Sequence, residues 1–155
     1  MANFLIIITS KYFFLISVLT LVVFLVKAGG QTRKRLMVLT LVAFILSFLL
    51  AKIAAILVYN PRPFVTEHIQ PLFAHAADNG FPSDHTLLTA TIASVIFVFN
   101  RRWGVLLFIL SLLIGLARVL AYVHQPLDIV GSVLIAVSMT WVAFGLSKRL
   151  WIWQN

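Results

Sequence analysis

A polar stretch, FPSDHT at residues 81–86, places a serine, an acid and a histidine side by side in a strongly apolar chain. Ser83 stands directly before an apolar run, which is the position of a helix N-cap. The backbone N–H groups that follow an N-cap lack intrahelical acceptors, so they form a ready site for an anion. The stretch therefore predicts an anion site at a helix start, with Asp84 and His85 beside it.

A second polar stretch, ARVLAYVHQPLD at residues 117–128, has the pattern of one span ending and another beginning. Pro126 fits the first helical position and Gln125 the cap before it. Asp128 then falls in the first turn, where an acid suits the helix dipole. His124 precedes Asp128 by four residues, so we expect the carboxylate to reach and orient the imidazole. Arg118 lies near the end of the preceding span.

A third stretch, KIAAILVYNPRPF, supplies Lys52 within an apolar run and Arg62 between two prolines. Arginine binds phosphate through its planar fork, and ionisable residues inside membrane spans are costly and functional by default. Taken singly, each residue has an ordinary explanation: a solvated loop histidine, a helix cap, or an arginine that extends to the lipid headgroups. Their convergence on one side of the chain predicts a phosphate site.

The composition is that of an integral membrane protein. The chain has 155 residues, of which 62% are hydrophobic and 10% charged, and its mean hydropathy is +1.07. A spanning helix needs about 20 apolar residues. We therefore predict an all-α membrane protein with a single domain over residues 1–155 and about five transmembrane helices, at 4–26, 36–59, 85–99, 104–123 and 126–147. We read the first apolar run as a retained span rather than a signal peptide. Short loops join the helices except for one longer loop, 60–84, between the second and third.

The basic residues predict the orientation, because lysine and arginine accumulate in cytoplasmic loops. Eight of the 12 lie in the first break, the third break and the tail: Lys27, Arg33, Lys34, Arg35, Arg101, Arg102, Lys148 and Arg149. This places the N-terminus outside, the C-terminus in the cytoplasm and the three polar stretches at the outer face. Topology also explains the net charge of +8. We expect no nucleic-acid partner, because the basic residues are not interleaved with aromatic ones.

The three stretches resemble the signature of the type 2 phosphatidic acid phosphatase superfamily. Its pattern is a lysine, six residues and Arg-Pro; then Pro-Ser-Gly-His; then Ser-Arg, five residues, His, three residues and Asp. Arg62-Pro63, the residues 82–85 and the spacing Arg118, His124, Asp128 match it. Within the superfamily, NPRPF followed by HAADNGFPSDHT looks most like the bacterial undecaprenyl pyrophosphate phosphatases of the bacitracin-resistance type.

Three positions depart from the family pattern. Lys52 lies ten residues before Arg62 instead of seven, and Ala55 occupies the position where the family has lysine. Three residues along a helix is about 4.5 Å, so Lys52 starts deeper in the membrane. Asp84 replaces a glycine and puts a carboxylate beside the phosphate site. Ala117 replaces a serine and removes one hydroxyl donor.

The resemblance implies a role for each matching residue. His124 would be the nucleophile, oriented by Asp128, and His85 the general acid that protonates the leaving group. The implied phosphate-binding residues are Arg62, Arg118, Ser83, Asp84 and Lys52. The resemblance implies no cofactor and no metal, since arginines and helix N-termini take the metal's place.

The implied reaction is hydrolysis of undecaprenyl pyrophosphate to undecaprenyl phosphate, at the outer face of the plasma membrane, on a lipid held in the bilayer. The sequence indicates no protein partner. A phosphatase for phosphatidylglycerophosphate or phosphatidate remains an alternative, and a lipid phosphate transporter a weaker one, because no internal repeat is evident. A metal site in the long loop also remains open, on Glu67, His68, His75 and Asp78.

Overall fold

The computed structural model describes residues 1–149, and that part of the chain folds into seven α-helices without a β-strand. They are α1 (Ala2–Tyr12), α2 (Phe14–Lys27), α3 (Gly30–Leu57), α4 (Pro63–Thr66), α5 (Asp84–Phe99), α6 (Arg101–Leu120) and α7 (Pro126–Arg149). The predicted domain boundary at residue 155 lies outside the described residues.

Four stretches are long and apolar enough to cross a bilayer. Helices α1 and α2 together form one, Ala2–Lys27, and α3, α6 and α7 form the others. The 16-residue helix α5 is apolar but shorter. Large hydrophobic side chains cover the outward faces of α3, α6 and α7, as expected of a surface that contacts lipid. The predicted all-helical membrane fold is therefore confirmed, with four to five candidate spans.

Helix α5 occupies the centre of the bundle, which explains how a short helix serves there. It packs against α2, α3, α6 and α7, and ten of its 16 residues are buried. Several of these are polar, and their hydroxyls are satisfied within the bundle: Thr91 Oγ1 donates to the Leu87 carbonyl at 2.8 Å, and Thr89 Oγ1 donates to Ser111 Oγ of α6 at 2.8 Å. Surrounded by protein, α5 needs neither a full membrane length nor an apolar surface all round.

Two predicted loops proved to be helical. Helix α3 begins at Gly30 rather than at residue 36, and α6 begins at Arg101 rather than at residue 104. Hydropathy ends a span at the first charged residues, but arginine, lysine and glutamine are good helix formers, so the helices continue through them. The turn before α6 is the single residue Asn100, whose side chain accepts a hydrogen bond from the Trp103 N–H at 3.2 Å.

The first span was predicted as one helix over residues 4–26, but it breaks at Phe13, between α1 and α2. The break leaves the last carbonyls of α1 without intrahelical donors. One of these, the carbonyl of the fully buried Ser10, accepts a hydrogen bond from Arg118 Nη1 at 3.3 Å. The interruption therefore ties the first span to α6 at the end where Arg118 lies.

The long loop between α3 and α5 is fastened to the end of α3 by Asn79. Its amide nitrogen donates to the carbonyls of Ala55 and Val58, both at 2.9 Å. Its oxygen accepts from the backbone N–H groups of Asn60 at 2.9 Å and Phe81 at 3.0 Å. Because both donors and both acceptor positions of this amide are used, the loop has a defined geometry where it leads into α5.

Candidate active site

The turn between α6 and α7 has the geometry of a Schellman motif. The N–H of Val123 donates to the carbonyl of Arg118 at 3.2 Å, and the N–H of Tyr122 donates to that of Val119 at 2.9 Å. Tyr122 has a φ of 62°, the left-handed conformation that this motif requires after a helix end. The motif reverses the chain within five residues, so Arg118 and His124 line the same cavity.

Asp128 is fully buried at the start of α7 and organises three donors. Its Oδ2 accepts from the backbone N–H of Gln125 at 2.8 Å, as in half of a capping box, and lies 3.0 Å from Nδ1 of His124. Its Oδ1 accepts from Nδ2 of Asn60 at 2.7 Å. An ionised carboxylate only accepts hydrogen bonds, so Nδ1 of His124 carries the proton and Nε2 is the unprotonated nitrogen with the lone pair.

Arg62 approaches that lone pair from the loop before α4. Its Nη1 lies 3.3 Å from His124 Nε2 and donates to the Val123 carbonyl at 2.6 Å. Its Nε donates to Oδ1 of Asp78 at 2.8 Å. Burial alone would raise the pKa of Asp78, but the hydrogen bond and charge of Arg62 outweigh it, so this pKa is lowered. The guanidinium is thus held from two sides and directed at the imidazole.

Arg118 is the second buried guanidinium of the site, 4% exposed. Its Nη1 donates to the Ser10 carbonyl at 3.3 Å, and its Nη2 lies 3.2 Å from Nε2 of His75. Its Nε is buried and has no hydrogen-bond partner among residues 1–149. An unpaired buried donor on a cation is costly, and an anionic oxygen satisfies it.

These groups surround a cavity of about 320 Å³. Its polar and charged lining residues are Lys52, Arg62, His75, Asp78, Asn79, Asp84, His85, Arg118 and His124. Six of the eight residues expected at the site from sequence line this cavity. The other two, Ser83 and Asp128, are fully buried and lie outside its wall.

Ser83 occupies the N-cap position of α5, but its side chain makes no capping hydrogen bond. Its hydroxyl instead accepts from Oγ1 of Thr86 at 3.3 Å, and its carbonyl accepts from Oγ of Ser132 at 3.0 Å. The expectation of a side-chain cap was therefore wrong, because buried hydroxyls of α5 and α7 engage Ser83. The first N–H groups of α5 remain without that cap, next to the cavity residues Asp84 and His85.

Lys52, Asp84 and His85 contribute to the wall in different ways. Lys52 and Asp84 are exposed, and both also line an adjacent apolar groove of about 280 Å³ between α3 and α5. Lys52 reaches the cavity from its deeper position, and its Nζ lies 5.1 Å from the centre of the Phe48 ring. The partly buried imidazole of His85 meets the ring of Phe14 edge-on, with 5.2 Å between centroids.

The electrostatics of the cavity favour a neutral His124. Burial lowers its pKa below the ordinary value of 6.5, the hydrogen bond with Asp128 opposes this, and the charges of Arg118 and Arg62 lower the pKa further. The net result is a pKa below 6.5. Near neutral pH the ring is therefore in the form that has a nucleophilic lone pair at Nε2.

Sequence reasoning missed Asn60 and Asn79, and it weighed His75 and Asp78 only as ligands of a metal. Within residues 1–149, no group of three or more histidine, cysteine or acidic side chains is arranged to hold a metal ion. His75 and Asp78 contact the two buried arginines instead. The signal that could have found His75, Asp78 and Asn79 is that all three lie within six residues of the FPSDHT stretch.

The fold and the cavity together define a class: helical membrane proteins with a buried histidine–aspartate pair and two arginines at the converging ends of their spans. The family model described as the PAP2 superfamily matches residues 35–152. The chain belongs to the PAP2 superfamily.

Two curated relatives make the similarity more specific. The chain is 36% identical to the "Bacitracin transport permease protein BcrC" of Bacillus licheniformis, over 77% of this chain and 60% of that protein. It is 38% identical to the "Undecaprenyl-diphosphatase BcrC" of Bacillus subtilis (strain 168), over 59% of this chain and 48% of that protein. The match thus spans about half to three fifths of these relatives.

A solved structure shares the fold. The crystal structure of Aquifex aeolicus LpxE superposes with a TM-score of 0.75, covering 92% of this chain and 86% of that one, at 24% sequence identity. At this identity the likeness concerns the arrangement of helices.

Proposed function

We propose that this protein is a membrane phosphatase that removes the terminal phosphate of undecaprenyl pyrophosphate and leaves undecaprenyl phosphate. The observation that carries the proposal is that His124, which contacts the buried Asp128, lines one cavity with two buried arginines. The similarity to a relative named undecaprenyl-diphosphatase supports the choice of substrate. The apolar groove beside the cavity suits a substrate whose chain stays in the bilayer.

In the first chemical step, Nε2 of His124 attacks the terminal phosphorus, and the bond from phosphorus to the bridging oxygen breaks. Asp128 keeps the proton on Nδ1 and stabilises the positive charge that develops on the ring. His85 donates a proton to the departing oxygen, which remains on undecaprenyl phosphate. The product at this stage is a phosphohistidine.

In the second step, water attacks the phosphorus of the phosphohistidine and the phosphorus–nitrogen bond breaks. His85, now neutral, accepts the proton of the attacking water, and inorganic phosphate leaves. In both steps charge spreads over the equatorial oxygens of the phosphoryl group. Arg62, Arg118 and the first N–H groups of α5 stabilise it, as fixed donors do most effectively in a site that excludes water.

Lys52 and Asp84 act at the mouth of the site in this proposal. Both line the cavity and also the apolar groove, so they flank the point where a phosphate headgroup joins its lipid chain. Lys52 attracts the anionic headgroup. Asp84 repels a fully ionised one and favours a protonated one, since like charges at close range are unfavourable. The Ser83 hydroxyl, which is buried, accepts from Oγ1 of Thr86 and so holds the first turn of α5 together.

The decisive experiment measures phosphate release from undecaprenyl pyrophosphate by the purified protein in detergent with a metal chelator present. The His124→Ala variant should lose at least about 10³-fold in rate, about 4 kcal/mol of barrier. Rapid alkaline quenching with terminally labelled substrate should trap labelled phosphohistidine, which is stable in base, in the wild type and not in the variant. Unchanged turnover by His124→Ala would reject this nucleophile.

Two further lipids identify the substrate. Phosphatidylglycerophosphate and phosphatidate are supplied at the same surface concentration in the same micelles. The proposal expects the highest kcat/KM with undecaprenyl pyrophosphate. A higher value for either glycerolipid would assign the protein to that substrate, and lipid movement across vesicles without hydrolysis would favour a transporter.

We also infer that the cavity opens on the outer face of the plasma membrane. The eight basic residues counted for orientation lie at the ends of α2 and α7 and the starts of α3 and α6, whereas the cavity lies at the opposite helix ends. The chain contains no cysteine, so single cysteines can report sidedness. In intact cells a membrane-impermeant maleimide should label Glu67→Cys and spare Arg102→Cys. The reverse pattern would invert the topology.

A further inference from the structure

His75 belongs to none of the three sequence motifs, yet it lies on the wall of the cavity. Its Nε2 is 3.2 Å from Nη2 of Arg118, and its ring meets that of His124 edge-on with 6.2 Å between centroids. A phosphoryl group bound at His124 would therefore be within reach of both rings. His75 is the third histidine around this cavity, after His85 and His124.

The contact with Arg118 identifies the protonation state of His75. A guanidinium has only donors, so the imidazole nitrogen that faces it must accept. Nε2 of His75 is then unprotonated, and a neutral ring carries its proton on Nδ1. That atom is buried and has no hydrogen-bond partner among residues 1–149. A protonated ring would point an N–H group at Arg118 and bring two cations together.

Burial and the two arginines also favour a neutral His75. The titratable groups that face it are Arg62, Arg118, Asp78, His85 and His124, while Lys11 lies over the neighbouring Phe73 ring. Burial lowers the pKa of His75 most, and the charges of Arg62 and Arg118 lower it further. The backbone of Ala76 and the charge of Asp78 oppose them without reversing the direction. His75 is accordingly neutral near pH 7 while the cavity holds no anion.

An anionic headgroup opposes the contact with Arg118 and the charges of the two arginines. Its oxygens take the donors of Arg118, which frees Nε2 of His75, and its negative charge offsets the field of the two arginines. Both changes favour a protonated imidazole, and protonation and anion binding then strengthen each other by linkage. The effect grows with the charge of the ligand, so a diphosphate gains more than a monophosphate.

On the basis of the proposed phosphatase function, we propose that His75 is a third substrate-binding cation of this site. It accepts from Arg118 in the free protein, takes up a proton from water when a diphosphate headgroup binds, and donates that proton in a hydrogen bond to the headgroup. His75 thereby favours lipid diphosphates over lipid monophosphates. The loop before α5 determines specificity by this means, in addition to closing the cavity.

A simpler role would be to position Arg118, and two substitutions separate the roles. The His75→Gln variant keeps an acceptor for Arg118, because the glutamine oxygen reaches about as far as Nε2, but it cannot become a cation. The His75→Leu variant removes the acceptor as well. His68→Asn is the control, because His68 is an exposed histidine of the same loop with a φ of 55°, a conformation that asparagine tolerates.

We expect the His75→Gln variant to keep kcat within about threefold while KM for undecaprenyl pyrophosphate rises about tenfold at pH 7. The ratio of kcat/KM for undecaprenyl pyrophosphate to kcat/KM for the monophosphate lipid phosphatidate should fall by about tenfold as well. In the wild type, 1/KM should fall as pH rises through the pKa of the bound His75, by up to about tenfold per pH unit. This part of the pH dependence should be absent from His75→Gln and present in His68→Asn.

The inference is overturned if His75→Gln matches the wild type in KM and selectivity while His75→Leu is impaired equally with both lipids. Positioning of Arg118 would then account for the whole effect of His75. The inference can also be separated from the proposed function. If the wild type releases no phosphate from either lipid, proton uptake can still be measured. The binding enthalpy of methylenediphosphonate in two buffers of different ionisation enthalpy gives the number of protons taken up. About one more proton should be taken up by the wild type than by His75→Gln, and equal uptake would reject the role.

Discussion

The two ends of the bundle satisfy their helix termini in different ways. At the cavity end, side chains distant in sequence add to the local turn between α6 and α7: Asn79 binds the carbonyls that end α3, and Arg118 binds the Ser10 carbonyl of α1. At the opposite end the partners are local. Asn100 accepts from Trp103 three residues on, and Arg33 binds the last carbonyls of α2 across a two-residue turn.

Because of this difference, substitutions at the two ends should affect activity and stability differently. A local cap stabilises one helix end, and its loss leaves the neighbouring helices in place. A long-range contact fixes the position of one segment relative to another, and a catalytic group displaced by about 1 Å can lose about 10²-fold in rate. We therefore expect substitutions at the cavity end to lower activity more than stability, and substitutions at the opposite end to do the reverse.

The largest effect in this comparison is expected from Asp128→Asn. The carboxylate faces three donors, on Asn60, His124 and Gln125. An amide has one acceptor oxygen and turns an N–H group towards one of them, so His124 loses its tautomer or its orientation. We expect kcat to fall by at least about 10²-fold, measured as steady-state phosphate release.

Glu67→Gln is the matched control, since Glu67 is an exposed acid at the end of α4. This variant should have wild-type activity. The expected difference between the two ends is contradicted if Asp128→Asn has the Tm of the wild type and also its rate of phosphate release.

The next effect is expected from Arg62→Lys. A lysine offers one ammonium group, which cannot contact Asp78, the Val123 carbonyl and a phosphate oxygen together as the planar guanidinium does. We expect kcat/KM to fall by about 10²-fold. Arg102→Lys, an exposed arginine in the first turn of α6, should change kcat/KM by less than about twofold. Similar losses from both variants would remove the distinction between the two ends.

The pH profile tests the electrostatics of the cavity end. His124 attacks in its neutral form, and burial together with the charges of Arg118 and Arg62 lowers its pKa below 6.5 despite the hydrogen bond with Asp128. A lowered pKa means that the active form persists as pH falls, so the acid limb of kcat/KM should lie below pH 6.5. Beneath it the rate should fall about tenfold per pH unit.

The profile of kcat/KM over pH 4 to 9, with a second histidine acting as acid, should be a bell or a plateau around neutrality. An acid limb centred above pH 6.5 would contradict the lowered pKa of His124. A flat profile would count against histidine catalysis altogether. The Arg102→Lys variant should reproduce the wild-type profile, because its charge lies at the opposite end.

Much of the fold could be predicted from composition, since apolar runs near membrane length predict helices directly. The starts of α3 and α6 could not, because hydropathy treats Arg33 or Arg101 as the end of a span although both are good helix formers. The break at Phe13 could not be predicted from composition either. The polar residues Thr9, Ser10 and Lys11 precede it but do not by themselves predict a break, and the partner of the Ser10 carbonyl is Arg118, 108 residues away.

The candidate site was predictable where the relevant spacing is short. His124 and Asp128 are four residues apart across a recognisable helix start, so their contact follows from local geometry. The contacts of Asn60 with Asp128 and of His75 with Arg118 span 68 and 43 residues, and no local pattern encodes them. Gly80 is similar: a Cβ there would lie 2.8 Å from Oδ2 of Asp128, a constraint visible only in three dimensions.

The smallest effect on activity is expected at the opposite end, from Arg33→Ala. Arg33 Nε donates to the Ala28 carbonyl at 3.0 Å and Nη2 to the Val26 carbonyl at 3.2 Å, so its charge complements the negative end of the α2 dipole. The side chain is exposed, and its removal should cost about 0.5–1 kcal/mol, or a few degrees in Tm. Lys34→Ala, which removes an adjacent exposed cation, should leave Tm unchanged. Because the cap is local, kcat/KM for both variants should equal that of the wild type, and a loss of activity in Arg33→Ala would show that the two ends are coupled through α2.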